Sequence, residues 1–507
     1  MIRKLDLAAL AAGVAMALAA ASPTSAAKTP SAGLVADADA LLARITALPD
    51  DAGCPAALAD QIDALVARKD FAKLDAPRRD ALLFDVLVCR GYDARATAAA
   101  RLLDRDDAAP PLVVQANIVL MIDAADHEDG AGQLRAMERV AALDPTRLAA
   151  FPPDSFNQAV SDLKTDPAGQ ARALDLLRAL EWPTEDGHHM VDNAWALRRA
   201  ELAADAGDMT RAAAVLDRAS DVAVLAAVAQ DLRFAPLWPD MQAAGRFDWI
   251  KLVEAQLARG EEQSRREPGR LDRVVDRIDT LRTLGRWEEA RALGADYAAR
   301  LARGERFDDL DDQRPWLLTS YAQILADLGQ TDAADAQMVA SVGEDRISQH
   351  LARAGLLVDA GRDAQALKVL AEADMTNARV VGLQWARALR ACANVHQGDK
   401  AAGERELPAL RKDRRQEAAA LSTALLCLGR QDEAAALMVE RLDDPEMRRE
   451  ALNAFRTGRQ PPVISPGSKE LNALRAALLA RPEVRATLRK YGRTLELPLA
   501  GPYDGGV

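Results

Sequence analysis

Glycines recur at intervals of 31 to 44 residues from residue 200 onwards, and a helix-forming run follows each of them after a short polar turn. The stretch LGRWEEARAL at 284–293 is typical. The glycines that share this setting are Gly207, Gly245, Gly285, Gly329, Gly361, Gly398 and Gly429, with Gly91 as an earlier candidate. Self-similarity with a period of roughly 20 to 50 residues indicates stacked supersecondary units. We therefore predict that each glycine ends one helix with a positive φ, so that the next helix can begin two or three residues later.

Small and large residues occupy fixed places around five of these glycines, as pairs of antiparallel helices require. Two helices approach closely only where side chains are small, and larger apolar residues hold them together one turn away. The small residues before the turn are Ala200, Ala322, Ala354, Ala391 and Ser422; those after it are Ala212, Ala334, Ala366, Gly403 and Ala434; the large residues after it are Leu216, Met338, Leu370, Leu407 and Met438. The pattern predicts helix pairs joined at the glycines.

The turn GRWEEA at 285–290 has the order Gly-x-aromatic-x-x-Ala, and GRQDEA at 429–434 keeps that order except for the aromatic residue. This pattern resembles the tetratricopeptide repeat family, whose units are helix pairs of about 34 residues. The resemblance covers residues 190–445 and extends more weakly over 55–190. It implies a right-handed α-solenoid of stacked antiparallel helix hairpins, with a concave groove lined by the first helix of each pair.

The groove positions of the resembled family fall on a small set of residues here. Trp316 and Trp385 each lie 13 residues before a turn glycine, and Thr319 and Gln323 lie 10 and 6 residues before Gly329. The resemblance implies that these side chains face the groove, where rigid aromatic rings are good anchors for a partner peptide. The alternative is that both indoles pack between neighbouring helix pairs, since Trp is usually well buried.

Composition favours an all-α chain. Aromatic residues make up only 4% of the sequence, Ala, Leu and Arg dominate, and no alternating pattern bounded by turns predicts a strand. We expect irregular helical repeats over 28–190, the solenoid over 191–458, a linker over 459–468, and a C-terminal helical cap and tail over 469–507. The cap would give the array a polar end, and the tail from residue 498 would be loose.

The first 27 residues have the order of a secretory signal peptide: basic residues, a short apolar segment and a small-residue cleavage site. No later stretch is long and apolar enough to predict a membrane span. The chain carries a net charge of −12. Nucleic-acid affinity depends on clustered Lys and Arg that neutralise phosphates, so nucleic acid is not an expected partner. We expect export, most simply to a bacterial periplasm.

The four cysteines form two pairs, each with members 35 residues apart: Cys54 with Cys89, and Cys392 with Cys427. An oxidising compartment favours bridging of an even set, although the sequence alone allows three connectivities. Antiparallel helices over 55–68 and 77–90 would bring Cys54 beside Cys89. Cys392 and Cys427 would lie near the ends of equivalent helices in adjacent repeats. The alternative is that all four are small buried residues at helix crossings.

The sequence contains no recognisable catalytic constellation. His188 and His189 are adjacent, so they point to different sides of the backbone, and no second pair of metal ligands accompanies them. HExxH, a phosphate-binding glycine loop and GxSxG are all absent from the sequence. No cofactor, metal or catalytic residue is therefore predicted. The expected function is an exported scaffold that binds a protein or peptide partner in the cell envelope; an envelope enzyme or a carbohydrate-binding superhelix remains the alternative.

Overall fold

The computed structural model describes residues 31–46, 55–75, 78–79, 82, 99, 103, 110–151, 153–180, 190–341, 347–376 and 378–500. Over these residues the chain is almost entirely helical, with two short strands near the C-terminal end. The expected all-α class is therefore confirmed at this level. The chain divides into two compact units, Met1–Leu202 and Ala203–Val507.

The first unit is built from helices of unequal length. They are α1 (Ala32–Thr46), α2 (Ala56–Val66), α3 (Pro110–Asp126), α4 (Gly130–Leu143), α5 (Pro145–Ala149), α6 (Asn157–Asp162), α7 (Pro167–Ala179) and α8 (Met190–Asp205), which continues past the unit boundary. Asp129 and Asp166 cap α4 and α7, because each carboxylate accepts a hydrogen bond from a backbone N–H of the first turn. A core cluster centred on Met137, Phe156 and Leu174 joins α3, α4, α6 and α7.

The second unit contains the helices of the predicted array. They are α9 (Met209–Leu216), α10 (Val222–Gln230), α11 (Trp238–Ala243), α12 (Trp249–Arg266), α13 (Asp272–Thr283), α14 (Trp287–Ala302), α15 (Leu310–Asp327), α16 (Thr331–Ser341), α17 (Ile347–Asp359), α18 (Asp363–Glu372), α19 (Val380–His396), α20 (Lys400–Glu404), α21 (Leu407–Lys412), α22 (Ala418–Cys427), α23 (Gln431–Asp443), α24 (Arg448–Asn453), α25 (Pro466–Leu479) and α26 (Pro482–Tyr491). A short 3₁₀ helix lies between α10 and α11 at Leu232–Leu237.

The turn glycines adopt the predicted backbone conformation. The predicted anchors from Gly207 to Gly429 all have positive φ, between 70° and 85°. Gly285 illustrates the hydrogen bonding: its N–H donates to the Arg282 carbonyl, and the N–H of Arg286 donates to the Leu281 carbonyl. These two hydrogen bonds form a Schellman motif, which satisfies the last carbonyl groups of a helix. A residue with a Cβ would be strained there, so glycine is required.

The small and large positions around the turns are buried as predicted. Ala200, Ala322, Ala354 and Ala391 are fully buried, and the other positions named for the pattern are buried as well. Gly403 shows why small residues are needed: a Cβ there would lie 3.0 Å from the Ala391 carbonyl oxygen. The two helices of each pair therefore pack with little space between their backbones.

Contacts between helices follow the order of the chain. α13 contacts α14 and α15, α15 contacts α16 and α17, α17 contacts α18 and α19, and α19 contacts α20 and α22. Core clusters follow the same succession, with Met338 in the α15–α16 cluster, Leu370 in the α17–α19 cluster and Met438 in the α22–α23 cluster. Each helix pair thus buries apolar surface against its neighbour.

The C-terminal region differs from the predicted cap and loose tail. Two strands, β1 (Arg456–Arg459) and β2 (Leu495–Ala500), pair in parallel, with Arg456 opposite Leu495. The expectation that no strand would occur, and that the chain would be loose from residue 498, is wrong for 498–500. Leu495, Leu497 and Leu499 are buried while Glu496 and Pro498 are exposed, so β2 has the alternation of a half-buried strand.

The same region contacts both early and late helices of the second unit. α25 contacts α17, α22 and α23, whereas β2 contacts α10, α12 and α13. Between β1 and α25 the chain runs across the turns of three successive helix pairs. We call residues 459–468 the crossing segment. The C-terminal region therefore does more than end the array, because it also contacts the beginning of the same unit.

Candidate functional site

One side of α15 carries three of the residues predicted to face a partner. Trp316, Thr319 and Gln323 are spaced by three and four residues, which places them on one side of the helix. The Trp316 side chain is 44% exposed, which is unusual for a residue of this size. Thr319 is buried, and its hydroxyl has no hydrogen-bond partner among the residues that the structure describes. This side of α15 therefore carries an exposed indole and, about one helical turn further along, a buried hydroxyl group.

Arg282 of α13 forms hydrogen bonds with two residues at the C-terminal end of α15, on the same side as Trp316. Its Nε donates to Asp327 Oδ2 at 2.7 Å and its Nη2 to Asp327 Oδ1 at 3.2 Å. Its Nη1 donates to Gln323 Oε1 at 3.0 Å. A bidentate guanidinium–carboxylate pair is geometrically specific, and its fork is only partly exposed here. The Gln323 side chain is therefore oriented by Arg282 through its amide oxygen.

Asp279 lies one turn before Arg282 and faces α15. Its side chain keeps solvent-accessible surface. Burial among the surrounding protein nevertheless raises the pKa of its carboxyl to about 6, while a hydrogen bond with Ser320 and the nearby Arg282 oppose that rise. The side chain of Asp279 is exposed to solvent by its accessible surface, so a partner can reach the carboxylate. Ser320 lies one helical turn after Trp316, which places the Asp279 carboxylate on the same part of the surface as the exposed indole.

Trp385 of α19 has different surroundings from Trp316. It is half-buried and packs against the clusters of both α17–α19 and α22–α23. Its setting corresponds to the alternative stated above, in which an indole packs between helix pairs. The structure thus separates two tryptophans that occupy equivalent sequence positions, and it places only Trp316 at the surface.

The cysteines of the second unit form a disulfide bond. Cys392 near the end of α19 and Cys427 at the end of α22 have Cα atoms 5.1 Å apart and a sulfur–sulfur bond. This predicted pairing is confirmed, and it joins the first helices of two adjacent pairs. Cys54 and Cys89 lie outside the described residues, as do His188 and His189.

Over the part of the chain that the structure describes, no group of three or more His, Cys, Asp or Glu side chains could hold a metal ion. None of the helices in those ranges has both the length and the apolar character needed to cross a bilayer. His396 contacts Asp363 of α18, with 2.9 Å between Nδ1 and Oδ1.

No family model and no curated protein matches the chain. The site must therefore be interpreted from its own residues.

Sequence reasoning missed Asp279, Ser320 and Arg282. The signal that could have found them is their position on α13 and α15, since each lies within three turns of a turn glycine and the two helices contact each other. Their pairing nevertheless depends on which sides of the two helices meet, and spacing within one helix does not determine that.

Proposed function

We propose that this protein is an exported α-solenoid that binds a protein or peptide partner through the side of α15 that carries Trp316. The observation that carries the proposal is the exposed Trp316 indole near the exposed Asp279 carboxylate. Tryptophan is enriched in binding hot spots, because its ring buries a large area at little entropic cost.

The solenoid itself is part of the proposal. Its support is the succession of helix-pair contacts, the positive φ of the turn glycines and the burial of the small crossing residues. Export to an oxidising compartment such as the periplasm is supported by the Cys392–Cys427 disulfide, because such bonds are rare in reducing compartments. The signal peptide expected over residues 1–27 lies outside the described residues.

The chemistry of the site suggests what the partner presents. An aliphatic or aromatic side chain would cover the Trp316 indole, and a Lys or Arg side chain would pair with the Asp279 carboxylate. The net charge of −12 favours encounter with a basic segment. A partner segment with one apolar and one basic residue within a few positions would meet both requirements.

The test is site-directed photocrosslinking in the native envelope. A photoreactive residue replaces Gln313, one turn before Trp316, and the captured segment is mapped and synthesised as a peptide for titration. Replacing Trp316 by Ala is expected to weaken peptide binding about tenfold or more, since hot-spot tryptophans contribute at least about 2 kcal/mol. Val339→Ala is the matched control, because Val339 is also an exposed apolar residue but lies on α16.

Two results would contradict the proposal. One is equal affinity of the captured peptide for the wild-type and Trp316→Ala proteins. The other is an equal loss on Val339→Ala, which would indicate general stickiness of exposed apolar residues instead of a defined site.

A further inference from the structure

The crossing segment contacts three successive helix-pair turns at intervals of four residues. Arg459 lies at the turn after α13, Val463 at the turn after α15, and Gly467 at the end of α17. Arg459 is the last residue of β1, residues 460–465 lie outside helices and strands, and Gly467 is in the first turn of α25. The segment therefore advances by one helix pair for every four residues, and the three turns together form a continuous surface that we call the turn face.

Each contact on the turn face has a different chemistry. The Arg459 guanidinium lies 5.1 Å from the centroid of the Trp287 ring, and it covers Gly285. The Val463 N–H donates to the Asp327 carbonyl at 3.0 Å, while its methyl groups cover Gly329. A basic residue is thus bound by an aromatic ring, and an aliphatic residue by a bare glycine turn.

The third contact requires a residue without a side chain. A Cβ on Gly467 would lie 2.8 Å from the Val358 carbonyl oxygen and 2.9 Å from that of Asp359, so only glycine fits. The Asp359 carboxylate lies close to Ser468 in the first turn of α25, and this contact opposes the rise that burial causes in the pKa of Asp359. The residues of the crossing segment at the three contacts are thus basic, aliphatic and glycine, at four-residue spacing.

The middle of the crossing segment is only lightly held. Val463 is 45% exposed and Ile464 is 39% exposed, and Arg459, Gln460 and Pro462 are exposed as well. The firm attachments lie near the ends: Arg456 is buried, Arg459 is paired with Ala500 of β2, and Ser468 lies close to Asp359. A segment tethered at both ends is held mainly by its high effective concentration, about millimolar or above, and not by strong contacts of its own.

From these contacts we infer that the turn face is a binding surface for an extended partner peptide with a basic residue, an aliphatic residue and a glycine at four-residue intervals, and that the crossing segment occupies it in the free protein. This inference rests on the proposed function and deepens it. Trp316 and Asp327 are 11 residues apart on α15, which is three turns and about 16 Å along one side of the helix. A partner anchored at Trp316 can therefore reach the turn face and displace the segment.

The first test uses the segment itself as the probe. A fluorescent peptide of residues 456–469, RTGRQPPVISPGSK, is titrated against the full exported chain and against a variant with Arg459→Ala and Val463→Ser. The variant keeps the attachments at Arg456 and Ser468 but loses two turn-face contacts. We expect the peptide to bind the variant at least about tenfold more tightly than the wild type, because its own segment competes less.

The matched control is the same peptide with the same two replacements. It should bind the variant at least about tenfold more weakly than the natural peptide does. The inference is overturned if the natural peptide does not bind the variant, binds both proteins equally, or binds no better than the altered peptide. Circular dichroism and the melting temperature of the variant establish that its fold is kept.

A second test locks the segment in place. A Cβ on Gly329 would lie 3.3 Å from the Val463 Cβ, which is close to disulfide geometry. When oxidised, the Gly329→Cys, Val463→Cys protein should bind the captured partner peptide at least about tenfold more weakly than wild type does. Reduction should restore the affinity. Gly329→Cys alone controls for strain at that turn, and wild type with reductant controls for Cys392–Cys427. Equal binding by the oxidised and reduced locked protein would overturn the inference.

The inference and the proposed function can fail separately. Trp316→Ala in the weakened-segment variant should leave binding of the 456–469 peptide within about twofold, because that peptide supplies no anchor for Trp316. If capture depends on Trp316 but the peptide does not bind, only the turn-face inference fails. If the peptide binds but capture is independent of Trp316, only the proposed function fails.

Discussion

Gln230 and Arg456 are 226 residues apart in the chain, yet Arg456 Nε donates to Gln230 Oε1 at 2.9 Å in a buried position. Gln230 is fully buried, and its Nε2 donates to the Leu452 carbonyl. Its own backbone carbonyl accepts from the N–H of Arg493. Through its side chain and its backbone carbonyl, Gln230 at the end of α10 thus joins the early helices of the second unit to α24, β1 and the chain that leads into β2.

Gln230→Ala should destabilise the second unit by about 3 kcal/mol, because it leaves the buried Arg456 guanidinium without one of its acceptors. Chemical unfolding followed by circular dichroism measures the change. Gln365→Ala is the control, since Gln365 is an exposed glutamine within α18, and it should change stability by less than about 0.5 kcal/mol. Similar losses for both variants would show that the junction contributes nothing specific.

Reduction of Cys392–Cys427 should lower the free energy of unfolding by about 4 kcal/mol, the loop-closure entropy expected for a separation of 35 residues. The measurement is urea unfolding with and without reductant. A Cys392→Ser, Cys427→Ser protein retains any contribution of Cys54 and Cys89, so the difference between the two proteins isolates this bond. An identical response of both proteins to reductant would contradict a stabilising role.

Binding should weaken as the pH falls through about 6 if the partner presents a basic residue to Asp279. The carboxyl is ionised above its raised pKa and attracts a cation there; below that pKa the charge and the attraction are lost. Asp279→Asn should bind more weakly at pH 7 and should lose most of the difference between pH 7 and pH 5. A wild-type affinity that does not change over this range would exclude the ion pair.

Asp279→Asn should also change stability in a pH-dependent way. Because the pKa of this carboxyl is raised in the folded state, its stabilising contribution is present below about pH 4 and is lost as the pH rises through about 6. The variant should therefore be more stable than wild type at pH 8 and equal to it near pH 4. The side chain retains solvent contact, so the gain should not exceed about 1 kcal/mol. A larger gain at pH 4 than at pH 8 would have the wrong sign.

Thr319→Val and Thr280→Val should change stability in opposite directions. Both threonines are buried in helices. The Thr280 hydroxyl donates to the Asp276 carbonyl at 2.6 Å, whereas the Thr319 hydroxyl is buried without a partner among the described residues. Valine should cost about 1 kcal/mol at Thr280 and add about 1 kcal/mol at Thr319, as measured by thermal unfolding. Destabilisation by Thr319→Val would indicate a bond that the hydroxyl makes in solution.

Features that depend on neighbouring residues could be predicted from the sequence. Gly285 and its equivalents were predicted with positive φ because a helix end and the next start lie within a few residues. Ala322 and Ala354 were predicted to be buried because repetition marks the crossing positions. The Cys392–Cys427 pairing was one of the possibilities that the sequence left open, because both cysteines were expected near the ends of equivalent helices, and the structure contains that bond.

Features that depend on distant parts of the chain could not be predicted from the sequence. β2 pairs with a strand that ends 36 residues earlier, and Pro498 within it argued for a loop. Asp279 meets Ser320 only because of how α13 and α15 rotate against each other. Trp316 and Trp385 have equivalent sequence positions, yet their exposure differs because the surrounding helices differ.

The contact of the last strand with the first helices of the second unit has a consequence for how that unit unfolds. Linear repeat arrays lose their terminal units first, because each end has only one neighbour. Here Gln230 gives α10 a second neighbour, and β2 gives α12 and α13 another. Unfolding that starts at either end would have to break these contacts too. The unit should therefore unfold in a single cooperative transition. The slowly exchanging amides should include those of the first and last helices of the unit.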